Sequence, residues 1–443
     1  MLSTLFNALK EHDIRKKMLW TLAILLVYRI GAHITVPGVD PTALTQMANN
    51  GLVNILNIFS GGGLLNFSLF AMGVSPYVTA QIVVQLLQLD IVPRFVEWSK
   101  QGEVGRRKLN NATRWLTLVL AFVQSVGITA GFNSLSSYGL VTNTTGVSGF
   151  IIIGLVMTMG TFLAMWLGEM ITEKGLGNGV SMIIFAGIIA QMPSGFYQIF
   201  KENILQADGD LANGIVFMVV LVVATVLITA VVTWFYSATR RLQMQYTRSA
   251  AAYGNEAYLP LKVNVSGVIP VIFASSFIST PQTILFAFQS KYGAQGWYQT
   301  LQQIFSMTTV PGAVLYTTLI VLFTYFYAFV QVNPEKLSEN LQKQGAYIVG
   351  VRPGDATKKF VSGLLLRLSF VGSIFLGVVS LIPLIASSVF GLNEKIGLGG
   401  TSLLIAIGVA LDLLKQLDGL MQKRNYVGFI HKEQLKSKET VHG

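Results

Sequence analysis

Asn57 to Leu87 reads NIFSGGGLLNFSLFAMGVSPYVTAQIVVQLL, and this stretch decides how the chain folds. It is apolar enough to enter a bilayer, yet badly built to cross one as a single straight helix. Gly61, Gly62 and Gly63 interrupt it near its start, and Gly73 and Pro76 interrupt it again. Glycine weakens a helix interior, and proline removes a backbone donor there. Pro76 to Leu89 is 14 residues. At 1.5 Å per residue that is roughly 21 Å of helix, short of the ~30 Å hydrocarbon core. The pattern predicts two half-elements, a short re-entrant piece over 64–72 and a partial span over 74–89. Interrupted backbone at membrane depth persists only inside protein or beside a water-filled cavity, so the stretch is expected to line or block a pore.

The rest of the chain has the same character. Its 443 residues are 52% hydrophobic and 12% charged, about half the charged share of a soluble protein. Several uncharged windows are long enough to cross a membrane, which predicts an all-α, polytopic membrane protein. Ten spans are expected: 18–36, the interrupted 64–89, 115–130, 150–167, 180–192, 214–234, 263–288, 314–332, 361–385 and 401–420. The fifth is short and is expected to extend into the Gly175–Gly179 segment before it. Arg29 lies inside the first, where packing against neighbouring helices is its expected role. There is no cysteine, so disulfides and thiolate chemistry are excluded.

The net charge of +11 would suggest nucleic acid in a soluble protein, but loop topology accounts for most of it. The segment before the first span, those after spans two, four, six and eight, and the C-terminal tail hold 24 Lys/Arg. The five segments on the other side hold three. Positive charge collects on the cytoplasmic side, so both termini are expected there.

The chain also repeats itself weakly. Gly73-Val-Ser-Pro76 in span two matches Gly267-Val-Ile-Pro270 in span seven. Gly175-Leu-Gly177-Asn-Gly179-Val-Ser181 before span five matches Gly397-Leu-Gly399-Gly-Thr-Ser402 before span ten. These are the second and fifth members of two five-span halves of opposite direction, the pattern of an inverted repeat. The halves are expected over 1–200 and 210–425, within one domain over 1–443 that ends in a cytoplasmic tail, 426–443. Gly127/Gly131 and Gly175/Gly179 have the spacing of close helix contact.

Enzyme chemistry is nearly absent. His12, His33, His431 and His442 have no metal-ligand spacing, and no Gly-Lys dipeptide opens a phosphate loop. Glu169 and Asp412 lie near span ends, where a solvated or capping role is expected. Ion-coupled transporters place carboxylates near the midplane, and no strong candidate stands there. No catalytic residue, metal or cofactor is expected. A secondary transporter of a small solute, which also uses inverted repeats, is the runner-up to a passive channel. An intramembrane hydrolase would need a buried nucleophile with a base, and none is visible.

At this point specific segments carry a resemblance over nearly the whole chain. They are Tyr28-Arg-Ile-Gly31 with Val36-Pro-Gly-Val39, Phe59-Ser-Gly-Gly62, Gly105-Arg-Arg-Lys108, Trp166-Leu-Gly-Glu169, Gly175-Leu-Gly-Asn-Gly179, Leu259-Pro-Leu-Lys-Val-Asn264, Gly267-Val-Ile-Pro270, Val351-Arg-Pro-Gly354 and Gly399-Gly-Thr-Ser-Leu-Leu404. Together they resemble the SecY family, the channel subunits of bacterial protein-export translocons.

The resemblance implies a gated protein-conducting channel in the bacterial plasma membrane. A plug, a short helix in that family, would fall on residues 61–72 and include Gly61, Gly62, Gly63, Leu64, Leu65, Phe67, Leu69 and Phe70. An aliphatic pore ring would fall on Val74, Val78, Val180, Ile184, Ile272 and Ile405. A lateral gate would open between spans two and seven, flanked by three and eight. Its polar members would be Thr79, Gln85 and Asn264, with Asn178 nearby. Cytoplasmic loops over 237–262 and 333–360 would dock the SecA ATPase or the ribosome through Arg240, Arg241 and Arg352. SecE and SecG would be partner subunits, unfolded secretory chains and membrane-protein segments with signal sequences would be cargo, and the lipid bilayer would receive the apolar segments.

Overall fold

A computed structural model describes residues 10–39, 62–64, 66–88, 92–135, 147–201, 204, 211–246, 257–307, 309–390 and 400–439. Gly61, Leu65 and the Gly397–Gly399 half of the second repeat motif fall outside the described residues.

The described chain is mostly helical. Helix α1 (His12–Gly31) is followed by α2 (Ser75–Leu87), α3 (Pro93–Lys100), α4 (Gly102–Leu135), α5 (Val147–Lys174), α6 (Gly179–Phe200) and α7 (Leu211–Ser237). After strands β1 (Thr239–Tyr246) and β2 (Ala257–Lys262) come α8 (Ile269–Ala287), α9 (Gln289–Tyr292), α10 (Gly296–Phe305), α11 (Val310–Gln331) and α12 (Pro334–Lys343). Strand β3 (Ala346–Ile348), α13 (Asp355–Phe390) and α14 (Gly400–Glu439) complete it. Among the described residues, seven helices are long and apolar enough to cross a membrane. The other expected spans fall on helices too: α1, the 13-residue α2, and α14. Helix α6 departs from its expected bounds, for it runs on past Met192 through Pro193 to Phe200.

The two interrupting prolines act as helix starts. Pro76 and Pro270 each sit at the first or second position of α2 and α8, where the missing N–H has no intrahelical acceptor to lose. Each helix follows a glycine in the left-handed region, Gly73 at φ 53° and Gly267 at φ 66°, a conformation that glycine adopts without penalty. The same local geometry thus occurs at both copies of the Gly-x-x-Pro motif. The two helices it starts pack against each other, and α4 packs against both.

One apolar cluster joins most of the helices. Tyr28 of α1, Ile82 of α2, Ile171 of α5, Ile188 of α6, Val232 of α7, Ile278 of α8, Ile320 of α11, Leu376 of α13 and Leu404 of α14 all belong to it. A second cluster forms where α4, α5 and the end of α8 meet Leu64, Phe67, Ala71 and Met72. A third sits under the strands, which form one antiparallel sheet in the order β2-β1-β3, packed on α12 and the start of α13. Helix α7 is different. Val216, Val219, Val220, Val223 and Val226 lie along it more than half exposed, as expected of a helix whose apolar surface meets lipid.

Candidate functional site

The segment before α2 is built from turns. Phe67 N donates to Leu64 O, Ser68 N to Gly63 O, Ala71 N to Ser68 O and Gly73 N to Phe70 O, at 2.8 to 2.9 Å. The short helix expected over 61–72 is therefore corrected: described residues 62–64 and 66–74 carry turns and no helix. The physical reason is a competing tertiary pairing. Val36 N donates to Phe67 O and Leu69 N to Ile34 O, both at 2.9 Å, and Thr35 and Ser68 form an antiparallel bridge. Backbone groups used in this way cannot also close helical turns.

This pairing holds Phe67 at φ 42°. The left-handed region costs an L-residue roughly 1–2 kcal/mol. Phe67 is fully buried, and burying such a side chain contributes about 1.5–3 kcal/mol, so burial can offset the strain. Its ring meets Phe132 of α4 edge-on at 5.5 Å, and Phe132 meets Phe286 of α8 at 5.5 Å. Phe70 stacks on Tyr28 at 4.9 Å. Two glycines make room for the segment. A Cβ on Gly31 would overlap the Phe70 ring, and one on Gly160 would overlap the Leu69 carbonyl.

The six aliphatic positions gather in the main cluster, to which Phe70 of this segment also belongs. Val74, Val78, Ile184, Ile272 and Ile405 are buried members of the main cluster, and Val180 packs against it half-buried. They come from α2 and its cap, α6, α8 and α14.

The contact between α2 and α8 carries a polar seam. Thr79 Oγ1 lies 3.1 Å from Thr280 Oγ1 and 3.4 Å from Ser276 O. Gln124 of α4 donates through Nε2 to Thr280 Oγ1 at 2.8 Å. Thr79 and Gln124 are buried. Only Thr79 among the four expected gate residues takes part. Asn178 Oδ1 accepts from Val180 N at 3.1 Å and Ser181 N at 3.4 Å, capping the start of α6. Asn264 closes the turn before α8, accepting from Ser266 Oγ and Gly267 N and donating to Gly267 O. Gln85, near the other end of α2, has a buried Oε1 with no hydrogen-bond partner among the described residues. Gln124, Ser276 and Thr280 were missed from sequence. Their signal was there: polar side chains inside spans three and seven.

The small-residue spacings mark close contacts. A Cβ on Gly131 would overlap the Phe286 ring, and one on Gly179 would overlap the Gly168 backbone. The Gly175–Gly179 segment is held from three sides. Thr21 Oγ1 accepts from Leu176 N at 3.0 Å, Thr172 Oγ1 from Gly179 N at 2.9 Å and Gln416 Oε1 from Gly177 N at 2.6 Å.

Both carboxylates read as solvated or capping are ion-paired. Glu169 binds Arg114 through two bonds of 3.1 and 2.5 Å, and Asp412 pairs with Lys262 at 3.2 Å. Arg114 and Glu169 are 55 residues apart, so only the packing of α4 on α5 could reveal the pair.

Arg240 and Arg241 lie exposed on β1, opposite Leu261 and Pro260 of β2. Adjacent strand residues point to opposite faces, so the two cations are presented in different directions. Arg352 is exposed in the turn between β3 and α13, where its carbonyl accepts from Thr357 Oγ1 at 2.9 Å. Its neighbour Val351 packs on the cluster under the sheet, which fixes the turn.

A family model described as SecY matches residues 68–414. Protein translocase subunit SecY 1 of Lactobacillus kefiranofaciens subsp. kefiranofaciens is 61% identical over 431 residues, 97% of this chain and 100% of that protein. Among solved structures, one of a protein-conducting channel matches with a TM-score of 0.66 at 18% identity, over 92% of each chain. Sec61 in the canine ribosome–channel complex from the endoplasmic reticulum matches with a TM-score of 0.61 at 17% identity, again over 92% of each.

Proposed function

This chain belongs to the SecY family, and on that premise we propose that it is the channel-forming subunit of a bacterial protein translocon. It is a membrane-embedded protein. In this reading ten helices span the plasma membrane in two inverted halves, 1–200 and 210–425, with both termini and the 426–443 tail cytoplasmic. Unfolded secretory chains pass between the halves. Apolar segments leave sideways between α2 and α8 into lipid. SecA or a translating ribosome supplies the energy, and SecE and SecG are its partner subunits.

The observation that carries the proposal is the contact of α2 with α8. Two helices started by the same Gly-x-x-Pro geometry meet across the Thr79–Thr280–Gln124 seam, next to an aliphatic cluster and a buried turn segment. Hydrogen bonds of this kind are worth about 0.5–1.5 kcal/mol each in net terms. A seam held by a few of them can part without large cost once an apolar segment replaces the contact. The six aliphatic side chains form the constriction. They can move aside for a passing chain because they have no hydrogen bonds to break, and when together they oppose ions by dewetting. Residues 61–72 form the plug. Its turn bonds and single bridge can be released without unwinding a helix. Arg352, Arg240 and Arg241 supply the docking cations.

Proteoliposomes holding this chain with SecE, supplied with SecA and ATP, test the proposal. A secretory precursor should become protected from added protease only when all are present. Transport of small solutes without precursor movement would overturn it in favour of a secondary transporter.

A further inference from the structure

The hairpin of β1 and β2, which carries Arg240 and Arg241, has two roots. Ser237 ends α7 just before it, and Lys262 ends β2. Val263 N donates to Ala238 O at 3.0 Å and joins the roots to each other. Both roots are also held by one helix, α14. Lys415 Nζ donates to Tyr236 O at 3.0 Å, and Lys262 Nζ is paired with Asp412 Oδ1 at 3.2 Å. Asp412 and Lys415 are three residues apart in sequence, so they are neighbours on one face of α14.

The same stretch of α14 meets two further elements. Gln416 Oε1 accepts from Gly177 N at 2.6 Å, in the segment that leads into α6. Gly408, one turn before Asp412, lies so close to Val268, the cap of α8, that a Cβ there would overlap its side chain. The second carboxylate oxygen of Asp412 faces the same turn, for a Cβ on Gly267 would lie 3.9 Å from Oδ2. Constriction positions lie on the three helices so joined. Ile405 is on α14, two turns before Asp412, Val180 and Ile184 are on α6, and Ile272 is on α8.

We propose that Asp412 and Lys415 are positioning residues through which a partner docked on the β1–β2 hairpin acts on the constriction. The inference rests on the channel reading. A tilt of the hairpin pulls on both roots, and both roots pull on one face of α14. That helix carries the displacement to Ile405 and to the starts of α6 and α8. Coupling of this kind travels through contiguous bonds and packed side chains, and each link here is a named contact. Lys262 and Asp412 are each about half exposed, and ion pairs so exposed contribute little to stability. Breaking the pair therefore leaves the fold and the docking cations in place and removes the connection between hairpin and helix.

The test uses the full chain with SecE in proteoliposomes and takes two readouts. Spin labels at Gln243, exposed on β1, and at Gly419 of α14, where a Cβ would meet nothing within 4 Å, report the hairpin against the helix before any partner is added. Asp412→Lys and Lys262→Asp should each broaden this distance distribution about twofold, and Lys415→Leu should broaden it too. The double swap Lys262→Asp with Asp412→Lys should narrow it again. SecA and ATP are then supplied with a secretory precursor. Each single reversal should leave SecA binding unchanged and lower transport per bound SecA about fivefold, and the double swap should recover to within about twofold of the parent. Glu103→Lys, which breaks a more exposed pair with Arg107 on α4, should alter neither readout. An unchanged distance distribution in the single reversals would overturn the clamp. So would loss of SecA binding in step with transport, or a double swap no better than the singles. A parent chain that moves no precursor would count against the channel reading, and the distance readout would still decide the clamp.

Discussion

Replacing Thr280 by valine should weaken the α2–α8 contact. The shape is nearly conserved, but the hydroxyl that joins three helices is gone. Gln124 Nε2, which donates to it at 2.8 Å, is left buried without that acceptor, and Thr79 loses its 3.1 Å partner. An unsatisfied buried donor costs about 1–3 kcal/mol. If that cost falls on the closed arrangement alone, the closed-to-open ratio drops by roughly 5–150-fold. Because the chain contains no cysteine, a spin-label pair can be placed at Gln88, at the end of α2, and at the exposed Phe277 of α8 without other changes. Thr280→Val should lengthen the measured distance distribution and raise resting conductance in a planar bilayer. The double variant Gln124→Leu with Thr280→Val provides the control. Replacing both partners by apolar groups can be nearly neutral, so the double variant should return towards the parent. An unchanged distance distribution in Thr280→Val, or a double variant as open as the single, would refute the reasoning.

Three further outcomes follow from the proposed channel. Val78→Asn with Ile184→Asn should wet the aliphatic cluster and raise ion leak with little loss of export. The same change at Val220 and Val223, exposed on α7, should not, and equal leak from both pairs would remove the ring assignment. Gly160→Ala puts a Cβ against the Leu69 carbonyl, so residues 66–74 should no longer seat. Deleting 62–70 should have the same effect, and unchanged conductance in both would count against a plug. Arg352→Glu lies on an exposed turn, where substitutions change stability by about 0.5 kcal/mol or less. Expression should persist while SecA-driven export falls, and a normal export rate would show that Arg352 is not the docking residue.

Much of the fold was legible because its signals are local. Pro76 and Pro270 preset the helix starts, and uncharged windows marked the long spans. The turn structure of 62–64 and 66–74 was not legible, because it depends on pairing with Ile34 and Val36, about 30 residues earlier. Local composition there is compatible with a short helix. Only the tertiary bridge decides against it. Asn178 and Asn264 carry a local signal as well. Their position just before a helix is the ordinary place for a cap or turn residue, and the structure gives them that work.

The seam was missed for a related reason. Helix α8 carries Ser275, Ser276, Ser279, Thr280 and Thr283, and each of their hydroxyls that bonds a carbonyl one turn back looks satisfied within its own helix. Ser275, Ser279 and Thr283 return to Val271, Ser276 and Ser279. Thr280 also returns to Ser276 O at 3.0 Å, but it alone is met from outside by both Thr79 and Gln124. A hydroxyl that already has an acceptor at home can receive a cross-helix bond or give it up without becoming an orphan. The asymmetry of the contact is then meaningful. Helix α8 brings several self-satisfied hydroxyls, α2 brings Thr79, which can itself donate to Ser75 O at 3.2 Å, and α4 brings Gln124. The α2 and α8 hydroxyls at this seam keep a partner when the helices separate. Gln124 is the member that must find a new one, so the cost of parting the seam concentrates on a single amide of α4.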